Sequence, residues 1–189
     1  MATTSVHPSV QAFITDVKAI IAEHGDGPDG LERIAERMRQ LTKDEELTTA
    51  DGPVGNVHHG QQVPPLYTDE TGLTLVRAKF GPDHNTPIHN HFTWGIVAVY
   101  EGKDNYQIWR RLDDGDDEGH AEVEMVDEFI MGPGDVQIIP HPPQDIHAQQ
   151  GAGEDTYEFV LFGANAMEGP RLYFDPEAKT ATRTVPKKN

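Results

Sequence analysis

The sequence contains no cysteine among its 189 residues. Disulfide bonds, thiolate metal ligands and a cysteine nucleophile are therefore excluded, and any bound metal must be held by histidine and carboxylate side chains. Basic residues are also scarce, because 15 lysines and arginines stand against 32 aspartates and glutamates, for a net charge of −17. This charge argues against nucleic acid or an anionic membrane surface as a partner, since both require a basic footprint.

Long apolar runs are missing as well. No stretch approaches the length needed to cross a bilayer, and the first residues lack the basic and apolar regions of a signal peptide. We therefore expect a cytoplasmic protein that makes no membrane contact. The length corresponds to one ordinary domain.

Apolar residues at helical spacing predict two helices between residues 8 and 48, separated by the breaker "GDGPDG". We interpret residues 1–50 as a helical cap that does not fold independently, because some forty residues form a poor core alone. Residues 51–175 form the main body in this interpretation, and residues 176–189 form a polar, frayed tail.

Short apolar runs cut by glycine, proline and aspartate follow from about residue 60, among them "LTLVRAKF", "GIVAVYEG", "NYQIWRRL" and "TYEFVLFG". Strands of this length and spacing are typical of an all-β sandwich or barrel.

Two histidines stand two residues apart in the stretch "TPIHNHFTWGIVAVYEG", at His89 and His91. Residues two apart on a strand point to the same side, so both imidazoles can face one cavity. The pair alone is a weak indication, because a chain with 10 histidines can produce it by chance.

A third histidine, His147, lies in "FIMGPGDVQIIPHPPQDIHAQQG", after a Gly-Pro-Gly-Asp turn and a short strand. The two segments together resemble the paired motifs of the cupins, with Gly102 closing the first and Pro133–Gly134 opening the second. The resemblance covers residues 60–165 and implies a double-stranded β-helix barrel in which His89, His91 and His147 bind a metal.

The chain departs from the cupin pattern at Gly95, where the family has a glutamate ligand. Three neutral imidazoles leave the full divalent charge on the metal and leave coordination positions open on one side. All-histidine sites are a feature of thiol dioxygenases, and the wider similarity is to the cysteine dioxygenase-like cupins. This resemblance implies Fe²⁺, with Zn²⁺, Mn²⁺ and Ni²⁺ as alternatives that three imidazoles also accept.

The substrate-binding residues of that family are matched less well in this sequence. Its arginine that clamps a carboxylate is missing from "VHHGQQVPPLY", where Gln61 or Gln62 takes roughly that place. We predict Arg77 and Tyr106 as further substrate-binding candidates, against the alternatives of a surface ion pair and of core packing. The family's Ser-x-His-x-Tyr relay is also absent, and the aligned positions hold Glu158, Val160 and Phe162.

Two residues are candidates for a catalytic role by their position in the sequence. Trp94 lies beside the first motif and could form a wall of the site, or could equally pack in the core. His141 precedes the third ligand by six residues and could donate a proton, or could lie exposed in a loop.

The sequence thus predicts an Fe²⁺-dependent dioxygenase that oxidises a small thiol, such as 3-mercaptopropionate or a cysteine-like compound, to a sulfinate. Its expected partners are the substrate and dioxygen, with a homodimer possible. Two other hypotheses remain open: a different three-histidine activity, either a diketone-type dioxygenase or a redox-neutral lyase or isomerase using zinc or manganese, and a cupin that binds a ligand without turnover.

Overall fold

The computed structural model describes residues 6–50, 55–56, 65–166 and 169–184. Within these ranges the elements are, in chain order, α1 (Pro8–His24), α2 (Pro28–Leu41), α3 (Glu45–Thr48), β1 (Gly55–Asn56), β2 (Tyr67–Thr68), β3 (Thr74–Phe80), β4 (Ile88–His89), β5 (Gly95–Glu101), β6 (Asp104–Arg111), β7 (Gly119–His120), β8 (Val123–Met131), β9 (Val136–Ile139), β10 (His147–Gly151), β11 (Thr156–Phe162), β12 (Arg171–Asp175) and β13 (Thr180–Thr184). The prediction of an all-β barrel preceded by helices is confirmed.

The strands form two sheets. One has the order β1-β3-β11-β5-β9 with β2 attached to β3, and the other has the order β7-β13-β12-β4-β10-β6-β8. Pairing is antiparallel except between β1 and β3. Apart from the consecutive pairs β2–β3 and β12–β13, neighbouring strands are not consecutive in the chain, which is the interleaved pattern of a double-stranded β-helix.

The barrel interior is filled by side chains from both sheets. Alternate residues of a strand face opposite sides, so every second residue of β3, β5 and β11 points inward. These residues meet their counterparts from β6, β8 and β9 in one buried apolar cluster: Val76, Val97, Val99, Tyr106, Met131, Ile139, Val160, Phe162 and Ala166.

The helices pack on the outer face of the first sheet. Pro8 opens α1, where the His7 side chain accepts from the Ser9 amide, and Gly25 ends it with a φ of 72° that favours glycine. The buried face of α1 and α2 meets Leu73, Leu75, Ile96, Phe159 and Leu161, which lie on the opposite side of the strands from the barrel interior. The cap therefore shares a core with the sheet.

The second sheet extends into the segment predicted as a frayed tail. Strand β13 pairs along its length with β12, and Ala181 is buried in a third apolar cluster with Leu172 and Phe174. Sequence analysis missed this strand because its polar residues face solvent and only one of its side chains is buried. In the described part of the chain, every helix is too short or too polar to cross a membrane.

Candidate metal centre

Three histidine side chains converge inside the barrel. The Nε2 atoms of His89 and His91 lie 3.1 Å apart, and each lies 3.2 Å from Nε2 of His147. All three side chains are buried. The near-equilateral triangle brings together the three residues that the sequence predicted as metal ligands.

Strand pairing explains the convergence. His89 ends β4 and His147 begins β10, and the two are direct partners in the antiparallel register. His91 follows β4 by two residues and so returns to the same face of the sheet. Short local elements thus supply two ligands, and a strand that arrives from a distant part of the chain supplies the third.

The spacing of the nitrogens suits a divalent ion. A metal about 2.1 Å from each nitrogen separates the nitrogens by about 3.0 Å at octahedral angles and by about 3.4 Å at tetrahedral angles. The observed values of 3.1–3.2 Å lie between these limits. The residues therefore fit a transition metal held on one face, with the remaining coordination positions open.

Hydrogen bonds at the Nδ1 atoms of two of the rings favour metal binding through their Nε2 atoms. His89 donates from Nδ1 to the carbonyl of Pro87 at 2.8 Å, which leaves the Nε2 lone pair directed into the triangle. Nδ1 of His147 lies 2.5 Å from the Tyr106 hydroxyl. A partner at the outer nitrogen orients a ligand ring and sets its tautomer.

Electrostatics keep the imidazoles neutral. Burial, followed by the charge of Arg171, lowers the pKa of His89 to about 3. Burial also lowers the pKa of His91 and His147 well below the usual range, and in both rings the next cause is His89. Neutral rings present lone pairs, which is the protonation state that metal binding requires.

Gly95, which stands where cupins have a glutamate ligand, has little room for a side chain. A Cβ atom added at Gly95 would lie 3.1 Å from the Leu161 carbonyl and 3.2 Å from side-chain atoms of Ile139 and Phe162. The Phe162 ring also packs on His91, with ring centroids 4.7 Å apart. Apolar groups thus occupy the side of the site where a cupin carboxylate ligand would stand.

Asp145 connects two of the ligand-bearing segments. Its Oδ2 accepts from the backbone N–H of His91 at 3.1 Å and from that of Phe92 at 2.8 Å. Phe92 has a φ of 55°, which side chains rarely adopt, so the turn after the second ligand needs such an anchor. Asp145 lies two residues before His147 and thereby ties the third ligand to the other two.

A second buried polar cluster lies further along the barrel interior. The Gln149 side-chain amide donates to Asp104 Oδ2 at 2.9 Å and to Glu158 Oε1 at 2.9 Å. Burial raises the pKa of Asp104 to about 7, and burial together with the charge of Asp104 raises the pKa of Glu158 well above normal. Burial, and next these two carboxyl groups, also raise the pKa of Tyr106, so its hydroxyl keeps its proton.

The substrate-binding candidate Arg77 is engaged at the helical cap, away from the histidine cluster. Its guanidinium donates to the carbonyls of Leu47 at 3.1 Å and Ala50 at 3.0 Å, on the side of β3 that faces the helices. The neighbouring Val76 is the residue that points into the barrel. Tyr106 is brought to the site, as a partner of His147 rather than as a carboxylate clamp.

The two catalytic candidates lie apart from the histidine cluster. Trp94 is buried in the cap core and donates from Nε1 to Asp26 Oδ2 at 3.2 Å. His141 is exposed and lies 2.9 Å from the Asp26 carbonyl, to which its Nε2 donates. Both therefore hold the loop between α1 and α2. Gln61 and Gln62, the other substrate-binding candidates, lie outside the described residues.

A cavity of about 570 Å³ opens beside the third ligand. Its inner end reaches His147 and Tyr106, and its sides come from β6, β8, β9 and the segment 140–146. Of the three histidines, His147 is the one that lines this cavity, so the cavity gives an external molecule access to the third ligand.

No protein-family model and no curated protein matches the chain. Among solved structures, an oxalate oxidase is 24% identical over 50% of this chain with a TM-score of 0.39, and the match spans only 43% of that chain. A cupin-like protein from Thermotoga maritima is 22% identical over 56% of this chain and 66% of that chain, with a TM-score of 0.39. KdgF from Halomonas sp. is 18% identical over 52% of this chain and 75% of that chain, with a TM-score of 0.40. None of these similarities is close enough to carry an activity over.

Proposed function

We propose that the protein is an Fe²⁺-dependent dioxygenase that oxidises a thiol to a sulfinate. The supporting observation is the ligand set: three neutral imidazole nitrogens 3.1–3.2 Å apart, with apolar groups where a carboxylate ligand would stand. Such a set leaves the metal's positive charge uncompensated. A negatively charged substrate group such as a thiolate would supply the charge that the protein does not.

A ferrous ion bound at His89, His91 and His147 would supply the one-electron chemistry that the reaction of dioxygen with a thiol requires. Overall, R–SH and O₂ give R–SO₂⁻ and H⁺. The S–H and O–O bonds break, both oxygen atoms become bonded to sulfur, and the proton leaves to solvent. Sulfur loses the four electrons that dioxygen gains, so no further reductant is needed.

The residues of the chain have separate tasks in this proposal. Tyr106 and the Pro87 carbonyl hold the His147 and His89 rings in orientation. Phe162 and Ile139 keep water and a fourth protein ligand away from one side of the centre. The cavity at His147 admits the substrate, so that both reactants meet at one place.

The test is oxygen uptake by protein reconstituted with iron under anaerobic conditions. The panel contains cysteine, 3-mercaptopropionate, mercaptosuccinate, cysteamine and a larger apolar thiol, and mass spectrometry detects a product with two added oxygen atoms. The variant His147→Ala serves as the inactive control. Turnover that needs zinc or manganese and proceeds without dioxygen would instead support the redox-neutral alternative.

A further inference from the structure

The cavity beside His147 has a size, a lining and a charge that bear on the substrate. From these we infer that the thiol acted on here carries an uncharged, apolar body of about ten to twenty non-hydrogen atoms, and that this body occupies the cavity. That the substrate is a thiol rests on the proposed function. That the rest of the substrate is apolar rests on the cavity alone.

The first argument is volume. Water takes up about 30 Å³ per molecule, so a thiol of six non-hydrogen atoms such as 3-mercaptopropionate needs about 180 Å³. The cavity measures about 570 Å³ and would remain two-thirds empty. Volumes of about 300–1,000 Å³ are typical of sites for much larger ligands.

The second argument is the lining. Ile108 and Ile139 flank the inner end near His147, and Val126, Pro140 and Trp109 continue outward. Each CH₂ group of a ligand that is buried against such a surface increases its affinity about fourfold. A short polar thiol would make little contact with these walls and would leave them in water.

The third argument is charge. Both arginines that line the cavity already face carboxylates: Arg111 donates to Asp113 at 2.9 Å, and Arg110 donates to Glu124 at 3.1 Å. Asp114 and Asp116 belong to the same rim. A substrate carboxylate would therefore meet more negative than positive charge, which disfavours 3-mercaptopropionate and favours an uncharged body.

The register of the strands connects the body to the reaction. Ile108 is the direct partner of His147 across β6 and β10, so an apolar body held against Ile108 lies beside the third ligand. A sulfur atom at the end of a short chain would then lie beside His147, one of the three residues that would hold the metal. The same binding excludes water from that side.

The experiment compares 4-phenylbutane-1-thiol, which has eleven non-hydrogen atoms, with 3-mercaptopropionate on iron-reconstituted protein. We expect kcat/KM for the phenyl compound to be higher by at least about tenfold. A second readout needs neither metal nor turnover: calorimetric titration of the metal-free protein with 4-phenylbutan-1-ol should show saturable binding.

Two variants on one strand provide a matched pair. Val126 and Ile130 both lie on β8 and are 54% and 55% exposed, but only Val126 lines the cavity. Val126→Trp should weaken binding of 4-phenylbutan-1-ol by at least about fivefold and remove the preference for the larger thiol. Ile130→Trp should leave both unchanged. Because both positions are largely exposed, neither change should prevent folding.

The outcomes separate the two proposals. If 3-mercaptopropionate is oxidised as well as the phenyl thiol or better, the inference about the body is wrong and the dioxygenase stands. If the alcohol binds and Val126→Trp weakens it, but no thiol is oxidised, the apolar occupant stands and the thiol chemistry is wrong. Absence of alcohol binding, or equal effects of the two tryptophans, overturns the inference whatever the turnover.

Discussion

Two buried polar clusters share one barrel interior but are completed in different ways. At the carboxyl cluster, Asp104, Gln149 and Glu158 satisfy one another, because one amide donates to both acids. At the histidine triangle, His89 has committed its Nδ1 proton to a carbonyl, so its Nε2 presents a lone pair to the other two rings. The polar groups of the first cluster bind one another, whereas the three nitrogens of the second are arranged to bind a cation. A buried polar group without a partner lowers the free energy of unfolding by about 1–3 kcal/mol. This difference predicts that the histidine triangle, and not the carboxyl cluster, binds an external ion.

The largest expected effect comes from breaking the histidine triangle. Adding Ni²⁺, which is redox-inert here, should stabilise the wild type by about 4 kcal/mol at a thousandfold excess over Kd. His91→Ala should lose most of this gain, because Ni²⁺ binding should weaken by more than about 100-fold, since changes to outer partners alone cost 10–100-fold. Thermal unfolding with and without Ni²⁺ measures the first effect and calorimetry the second. An undiminished stabilisation of the variant would contradict a three-histidine site.

The next effect concerns the anchor between the ligand segments. Asp145→Ala removes the acceptor of two backbone N–H groups and should cost about 2–4 kcal/mol of unfolding free energy. Asp145→Asn keeps an acceptor oxygen and should recover most of it. With Co²⁺ bound, the visible absorption bands should shift in the alanine variant and return towards wild type in the asparagine variant. Equal spectra in all three proteins would show that Asp145 does not position the ligands.

The carboxyl cluster should make stability depend on pH. Free carboxyl groups ionise near pH 4, but burial raises the pKa of Asp104 to about 7 and that of Glu158 well above normal. The folded state therefore binds more protons than the unfolded state above pH 4, and the free energy of unfolding falls as pH rises through 7. Glu158→Gln should reduce this fall and exceed the wild type at pH 8 by on the order of 2 kcal/mol.

Urea unfolding at pH 5 and pH 8 checks this prediction, and the exposed Glu154→Gln is its matched control. A Glu158→Gln protein that loses as much stability with rising pH as the wild type would show that the pair ionises freely inside the barrel.

The smallest effect is expected at the contact between the clusters. Tyr106→Phe removes the hydroxyl at His147 Nδ1 but keeps the buried ring, so folding should be little affected. We expect metal affinity or kcat to fall by about tenfold, the lower end of the range for outer partners. Competition with a chelator measures the affinity. A loss as large as that of His91→Ala would place Tyr106 among the ligands.

The ligands were predictable from the sequence because metal binding imposes a residue type and a period. His89 and His91 are two apart on one face, and His147 follows a recognisable turn. The face of Arg77 was not predictable in the same way, since every residue of "LTLVRA" is buried and the choice of face depends on what packs on each side. Trp94 and His141 are catalytic candidates only because they lie near ligand histidines in the sequence. Closeness in sequence does not imply closeness in a barrel.

Sequence analysis missed the roles of Asp145, Asp104 and Gln149. Their contacts join residues 9 to 54 positions apart, so no local pattern links them. Glu158 did give an indication, because a carboxylate alternating with Val160 and Phe162 in an apolar strand must find a buried partner. The identity of that partner needed the structure.

The hydrogen bonds at Asp26 also determine which truncated forms of this protein can reproduce the properties of the full chain. Its carboxylate holds Trp94 and its carbonyl holds His141, whose segment forms part of the cavity wall. The turn between the first two helices is thus hydrogen-bonded to a segment that lines the cavity. A shortened chain beginning after the helices would lose this fastening as well as a hydrophobic face, and substrate preferences measured on such a fragment would describe a differently shaped opening.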